Sequence, residues 1–301
     1  MGLIRAAPQR LAAALGVALV VLVTAGCSQP ATKAPGPVKT TTSTAAQRMS
    51  TGKGPGCSDD QPGRYTAELF QPAPVSTVTY TPGLQADIYA PADDPATCKV
   101  GVVWVHGGGF TLYTRNGDAE REWGFALARR GFVVASIDYR LGSGEPFALD
   151  SATGPQREMV VENAITDAQT AVGWLRGAAG DWGVDPTRVA IGGTSAGAMT
   201  ALGAALTAAD PPCAVVSVAG DLRPEWVTGP GAAVLFIHGN ADDVLPFSSS
   251  VAGVAAVQAA GGTAELVTID RAGHEITGPP RPAMVDAAAR WLADHAAAGC
   301  G

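Results

Sequence analysis

From residue 75 onward the chain alternates two patterns of apolar and polar positions. Short, largely apolar runs cover 100–105, 132–137, 188–191, 213–219, 233–237 and 265–269, the first of them continuous. Short runs of this kind predict strands buried on both faces. Between them, apolar residues recur at helical spacing, and helices are expected over 118–130, 160–178, 196–208, 247–260 and 282–297. The second helix shows the periodicity most clearly, with Val161, Ala164, Ile165, Ala168, Val172 and Leu175 on one face. Ahead of these elements, 75–80 and 84–90 read as strands joined by the turn residues Thr81-Pro82-Gly83, a hairpin. Strand alternating with helix predicts the α/β class: a mainly parallel eight-stranded sheet, helices on both faces, the first pair of strands antiparallel. The interval 220–231, before the seventh strand, is too short for a helical pair, so no large cap is expected there.

The first 56 residues carry neither pattern. Arg5 and Arg10 precede an apolar run from Leu11 to Val23, too short for a comfortable membrane span. The run ends in Thr24-Ala25-Gly26-Cys27. Residues 1–26 therefore resemble a bacterial lipoprotein signal, with Cys27 as the lipidated residue and a lipid anchor on the extracytoplasmic face of the cell membrane. Thr24 stands where an aliphatic residue is usual, and ordinary secretion is the alternative. Residues 27–56 are dominated by Pro, Thr, Ser, Gly and Lys and have nothing to bury, so they read as a disordered tether. The globular domain is expected over 57–301.

Composition narrows the function classes. The 301 residues are 47% hydrophobic with a formal charge of −7, enough chain for one sizeable core. There is no basic cluster, repeat or zinc-finger spacing, which argues against nucleic acid as a partner. With Cys27 assigned to lipid, Cys57, Cys98, Cys213 and Cys300 remain, and export permits disulfides. Four cysteines allow three pairings. Cys57–Cys98 with Cys213–Cys300 is favoured, each joining an element to a terminus of the domain. No cysteine has a C-x-x-C partner or a histidine at ligand spacing, so no metal site is expected.

Four stretches carry chemistry, each directly after an expected strand. Gly193-Thr194-Ser195-Ala196-Gly197 has the G-x-S-x-G form of a strand-to-helix nucleophile elbow. Its outer glycines are required because strand and helix nearly touch there. His106-Gly107-Gly108-Gly109-Phe110 can turn backbone N–H groups toward a developing oxyanion. A phosphate cradle is excluded, since no Gly-Lys-Ser/Thr follows it. His238-Gly239-Asn240-Ala241-Asp242-Asp243 and Ala272-Gly273-His274-Glu275 supply an acid and a base. Ser195, Asp242 and His274 follow the chain order Ser…Asp…His.

With Asp138-Tyr139-Arg140-Leu141 and Asp185-Pro186-Thr187-Arg188, these stretches make the chain from about residue 75 resemble the α/β-hydrolase superfamily. Within it, the resemblance is to esterase and lipase members with a His-Gly-Gly-Gly motif, of carboxylesterase, hormone-sensitive-lipase-like and feruloyl-esterase-like kinds. The resemblance implies a carboxylic ester hydrolase that needs no cofactor. Ser195 is then the nucleophile, His274 the base and acid, Asp242 its orienting acid, and Gly108, Gly109 and Ala196 the oxyanion hole. Asp243 competes with Asp242, although the spacing from His238-Gly239 favours Asp242, and Asp221 is a third candidate. His106 and His238 read as structural, and His295 as solvated. Asp138 and Arg140 read as an internal ion pair or a contact to the helix carrying Asp167, and Trp226 as a loop residue that could face the site. The loop 141–159 is expected to rim the crevice. The expected substrate is a small-molecule or polymer-derived ester with a short acyl chain or a compact aromatic acid. A peptidase on the same fold and an inactive surface-binding protein are the competing functions.

Overall fold

A computed structural model describes residues 61–143 and 155–300. The signal, Cys27, the tether and Cys57 lie outside the described residues, as does most of the loop 141–159. Eight strands form one sheet: β1 (Ser76–Thr81), β2 (Leu84–Tyr89), β3 (Lys99–Val105), β4 (Val133–Ile137), β5 (Val184–Thr194), β6 (Ala214–Val218), β7 (Ala233–Gly239) and β8 (Ala264–Ile269). Their spatial order is β1-β2-β4-β3-β5-β6-β7-β8. β2 is antiparallel to both of its neighbours, and every pairing from β4 to β8 is parallel.

The apolar runs divide between two cores because side chains alternate along a strand. On β3, Val103 and Val105 enter one core while Val102 and Trp104 enter the other. On β7, Val234 and Phe236 oppose Leu235 and Ile237 in the same way. The first core is closed by α2 (Pro155–Gly177), α4 (Ala196–Leu206) and α5 (Phe247–Ala259). The second is closed by α1 (Asp118–Ala128) and α6 (Pro282–Ala296), through Trp123, Leu127, Met284, Trp291 and Leu292. Each such buried side chain contributes about 1.5–3 kcal/mol. β1 and β8, the sheet edges, each bury only one position.

Several boundaries differ from the sequence expectation. Helix α2 begins at Pro155, five residues early, where proline is tolerated in a first turn. Three short elements were not foreseen: α3 (Ala179–Trp182), ended by Gly183 in the left-handed region, and 3-10 turns at Pro224–Trp226 and His274–Thr277. The first of these turns buries Trp226, with Arg223 stacked on its ring, so Trp226 packs into the core and not toward the site. His295 is half-buried, its ring 4.0 Å from that of Trp291, and is not the solvated residue expected.

Cys213 is disulfide-bonded to Cys300, tying the end of the chain to the start of β6. At a sequence separation of 87, loop closure contributes about 4.6 kcal/mol in the chain-entropy picture. Cys98 is disulfide-bonded as well. Arg140 pairs with Asp167 at 2.8 Å, the contact expected of it. Asp138 instead holds Arg115, whose guanidinium lies 2.7 Å from Asp138 and 3.0 Å from Asp87.

Candidate active site

The four chemistry-bearing stretches follow β3, β5, β7 and β8, at the carboxyl ends of parallel strands. Such ends face one crevice in an open α/β sheet. Ser195 stands between β5 and α4 with φ 52° and ψ −119°, a sparsely populated conformation for a residue with a side chain. Packing enforces it. A Cβ on Gly193 would sit 2.6 Å from the Gly197 backbone, and one on Gly197 would enter the carbonyl oxygens of Val105 and His106. Strand and helix therefore touch through their glycines, and the Ser195 N–H bonds across to Val218 at 2.9 Å.

One hydrogen-bonded chain joins three of the expected residues. The Ser195 hydroxyl donates to His274 Nε2 at 3.0 Å, and His274 Nδ1–H donates to Asp242 Oδ2 at 2.8 Å. The Asp242 side chain is fully buried. Its other oxygen accepts the backbone N–H groups of Val244 at 2.9 Å and Leu245 at 2.8 Å, so the acid folds its own loop. Burial pushes this carboxyl up, but the bonds from His274, Leu245 and Val244 outweigh it and hold the group below its usual value. The carboxylate that reaches His274 is Asp242; Asp243 is exposed.

His238 has a larger part than a strand cap. It is fully buried; Ser250 donates to its Nδ1 at 2.6 Å, and its Nε2–H faces the Leu245 carbonyl at 3.0 Å. The same Nε2 lies 3.3 Å from Asp242 Oδ2, so two imidazoles share one carboxylate oxygen. Burial holds the His238 ring below its ordinary value, hence neutral at neutral pH, despite the opposing carbonyl and carboxylate. Asp221 is not part of the chain; burial raises its carboxyl.

The glycine loop is held from beneath. Tyr139 donates its hydroxyl to the carbonyls of His106 at 3.2 Å and Gly107 at 3.3 Å. His106 stacks on the Tyr139 ring, and its Nδ1–H bonds the Gly107 carbonyl at 2.8 Å. Burial drives the His106 imidazole down to about 4. A trans peptide places its N–H opposite its carbonyl. Since the Gly107 carbonyl is turned inward, the Gly108 N–H points the other way. The Gly108 carbonyl accepts from Thr111 and Leu112 at 3.1 and 3.0 Å, which turns the Gly109 N–H likewise. Gly108 has φ +102°, and a Cβ there would strike the Leu112 carbonyl. Ala196 opens α4, where the first N–H groups have no intrahelical acceptor.

Gly107, Gly108, Gly109, Ser195 and His274 line one cleft of about 610 Å³. Its rim carries the exposed apolar side chains of Leu112, Tyr113 and Val244. Its wall also includes Glu120, only 5% exposed. Sequence reading missed Glu120 and Ser250. Both are polar residues on the buried face of a helix, Glu120 with Trp123 and Leu127 on α1 and Ser250 with Gly253 and Val257 on α5. That position on an apolar stripe was the available signal. Among the described residues, no group of three His, Cys, Asp or Glu side chains is arranged to hold a metal ion.

The sheet order, the elbow and the strand-end loops are those of a known architecture. A family model described as BD-FAE, an α/β-hydrolase family, matches residues 86–214. Esterase 2 of Thermogutta terrifontis superposes with a TM-score of 0.60 at 22% identity, covering 73% of this chain and 92% of that one. The chain has the α/β-hydrolase fold. Among curated proteins, this chain is similar to the para-nitrobenzyl esterase of Bacillus subtilis (strain 168), 31% identical over 144 residues, which are 45% of this chain and 28% of that one. It is also similar to carboxylesterase 3B of Mus musculus, 36% identical over 118 residues, covering 38% and 19% of the two chains. The chain spans less than a third of the length of these curated relatives. The Thermogutta enzyme has been obtained with propionate and with butyrate bound, and phosphorylated by paraoxon.

Proposed function

We propose that this α/β-hydrolase is a serine hydrolase of carboxylic esters. The observation that carries the reading is the hydrogen-bonded chain from Ser195 through His274 to Asp242, opening on a cleft beside the glycine loop. In this mechanism His274 Nε2 takes the Ser195 proton as the hydroxyl attacks the ester carbonyl. The N–H groups of Gly108, Gly109 and Ala196 receive the oxyanion, and the alcohol leaves with the proton from His274. Water then enters by the same route and releases the acid. Asp242, ionised and fully buried, fixes the imidazole tautomer and offsets the imidazolium charge. Fluorophosphonate labelling tests the nucleophile: the wild-type chain should be labelled and Ser195→Ala should not. Labelling of the alanine variant at the wild-type rate would remove Ser195 from the reaction.

Short acyl chains or compact aromatic acids are the expected acid part. Among the described residues the span from β6 to β7 holds only the turn at Pro224–Trp226, which packs inward. The esterase similar in fold accommodates propionate and butyrate. A p-nitrophenyl ester series should peak at short chains in kcat/KM; a value still rising beyond about eight carbons would require a long apolar groove.

Localisation follows from the sequence: residues 1–26 as a lipoprotein signal, Cys27 lipidated, and the domain held off the extracytoplasmic membrane face by its tether. Mass spectrometry of the mature N-terminus should find lipid on Cys27, and an unlipidated terminus would leave secretion.

A further inference from the structure

Among the described residues, Glu120 is the one buried carboxyl in the cleft wall that ester hydrolysis as described leaves idle. It lies on the first turn of α1, 5% exposed, in the same cleft as Ser195 and His274. The backbone makes room for it: a Cβ on Gly117 would collide with Glu120 Oε2. No basic residue answers it. Neither Lys nor Arg lines the cleft among the described residues, and the charge acting on Glu120 is that of Asp118, of the same sign. The nearby Arg115 is committed to Asp87 and Asp138. The titratable groups facing Glu120 from other elements are phenols, Tyr89 of β2 and Tyr139 beyond β4, both raised in part by the Glu120 charge. His106, stacked on Tyr139, is neutral, and His274 stands in the same cleft. Tyr113, 67% exposed, offers an aromatic face on the rim.

An ionised carboxyl removed from water without a cation partner is costly, and such groups gather where a ligand supplies the missing charge. We propose that Glu120 is a specificity-determining residue that receives a positively charged, ammonium-type group carried by the ester, with Asp118 and the Tyr113 ring completing a cation-binding wall. The inference rests on the esterase reading and adds the charge of its substrate. Burial, against the bond from its own backbone N–H and with Asp118 adding to it, pushes the Glu120 carboxyl up to about 7, so this wall gains its charge as the pH rises through neutrality. The preference for a cation grows over the same range.

The test uses two esters of one shape: butyrylcholine and 3,3-dimethylbutyl butyrate, in which carbon replaces the charged nitrogen. His274 serves both, so the ratio of their kcat/KM values reports the wall and not the base. In the wild-type chain the cationic ester should be preferred about tenfold at about pH 8 and several-fold less at about pH 6. Glu120→Gln should bring the ratio to about one and remove its pH dependence. Asp118→Asn, at an exposed position, should move the midpoint of the preference to lower pH. A ratio near one in the wild type, or one unchanged by Glu120→Gln, overturns the proposal while leaving ester hydrolysis intact. Calorimetric binding of choline against 3,3-dimethylbutan-1-ol needs no turnover. Choline should bind more tightly above pH 7 and lose that gain in Glu120→Gln. Equal binding of the two alcohols overturns the proposal even if neither ester is cleaved, and cleavage of neither ester counts against the esterase reading alone.

Discussion

One wall of the cleft hangs from strand ends, and the other from a loop and the first turn of a helix. Ser195, Asp242 and His274 follow the parallel strands β5, β7 and β8 within a few residues of their ends. Each is then fixed again, Ser195 by touching glycines, Asp242 by two backbone N–H groups and two imidazoles, and His274 by its neighbours on either side. The opposite wall, from Leu112 to Glu120, presents exposed apolar side chains and one buried carboxyl without a basic partner. The contrast separates two jobs. On the proposed esterase reading, the reacting atoms sit where packing determines geometry several times over. The wall proposed to meet the variable part of a substrate is tied to β2 and β4 through Arg115, while its Leu112 and Tyr113 side chains are left exposed.

The largest expected effect falls on the strand-end wall. His274→Ala should lower kcat by about three to six orders of magnitude, since an unassisted serine hydroxyl is a weak nucleophile. Asp242→Asn should lower it by about 10² or more, and Asp243→Asn by less than about threefold. Steady-state kinetics on the same ester check all three, and the reverse ranking of the two aspartates would move the acid by one position. Next comes the elbow. Gly197→Ala drives a methyl into the end of β3, so unfolding in urea should show a loss above about 3 kcal/mol, together with loss of labelling at Ser195.

On the other wall, Glu120 should act on stability with the sign of an acid whose folded value is raised. The folded chain holds a proton that the unfolded chain has released. The favourable contribution is complete below about 4.5 and is lost as pH rises through about 7. Glu120→Gln should therefore stabilise the protein at about pH 9 by at most about 3 kcal/mol and have little effect below about pH 5. His106 and His238 have the opposite sign, being held neutral by burial. The His106 contribution is present above about 6.5 and is lost as pH falls through about 4. Denaturant titrations across this range separate the two signs.

Smaller effects sharpen the contrast further. His238→Gln should lower kcat about tenfold or somewhat more with little change in KM, and Ser250→Ala less, because both act on Asp242 and not on the substrate. A His238→Gln variant altered in KM alone would place the residue on the wrong wall. Leu112→Ala and Val244→Ala, at exposed positions, should change stability by less than about 0.5 kcal/mol and KM by a few-fold.

The apolar runs at 100–105 and 233–237 were legible as strands because burial on both faces leaves no polar interruption, and they reappear as β3 and β7. The elbow was legible for a steric reason, since only glycine fits at 193 and 197. Less legible were contacts that join distant segments. Asp138 was expected near Arg140 or the Asp167 helix, yet the partner that reached it was Arg115, from a loop packed over the ends of β2 and β4. Trp226 was placed in a loop near the site because nothing local shows that Arg223 and the underside of α4 cover it.

By itself, then, the sequence determined the alternation of strand and helix, the positions of the loops that carry chemistry, and the residue types those loops present. These depend on periodicity and on local steric limits, which neighbouring residues impose. The tertiary structure alone decided which of Asp242 and Asp243 meets His274, that His238 and Ser250 stand behind the acid, and that Glu120 enters the cleft without a cation. Hydrogen-bond reach is about 3 Å and burial depends on what packs above, so these are properties of segments up to 79 residues apart in the chain and adjacent only after folding.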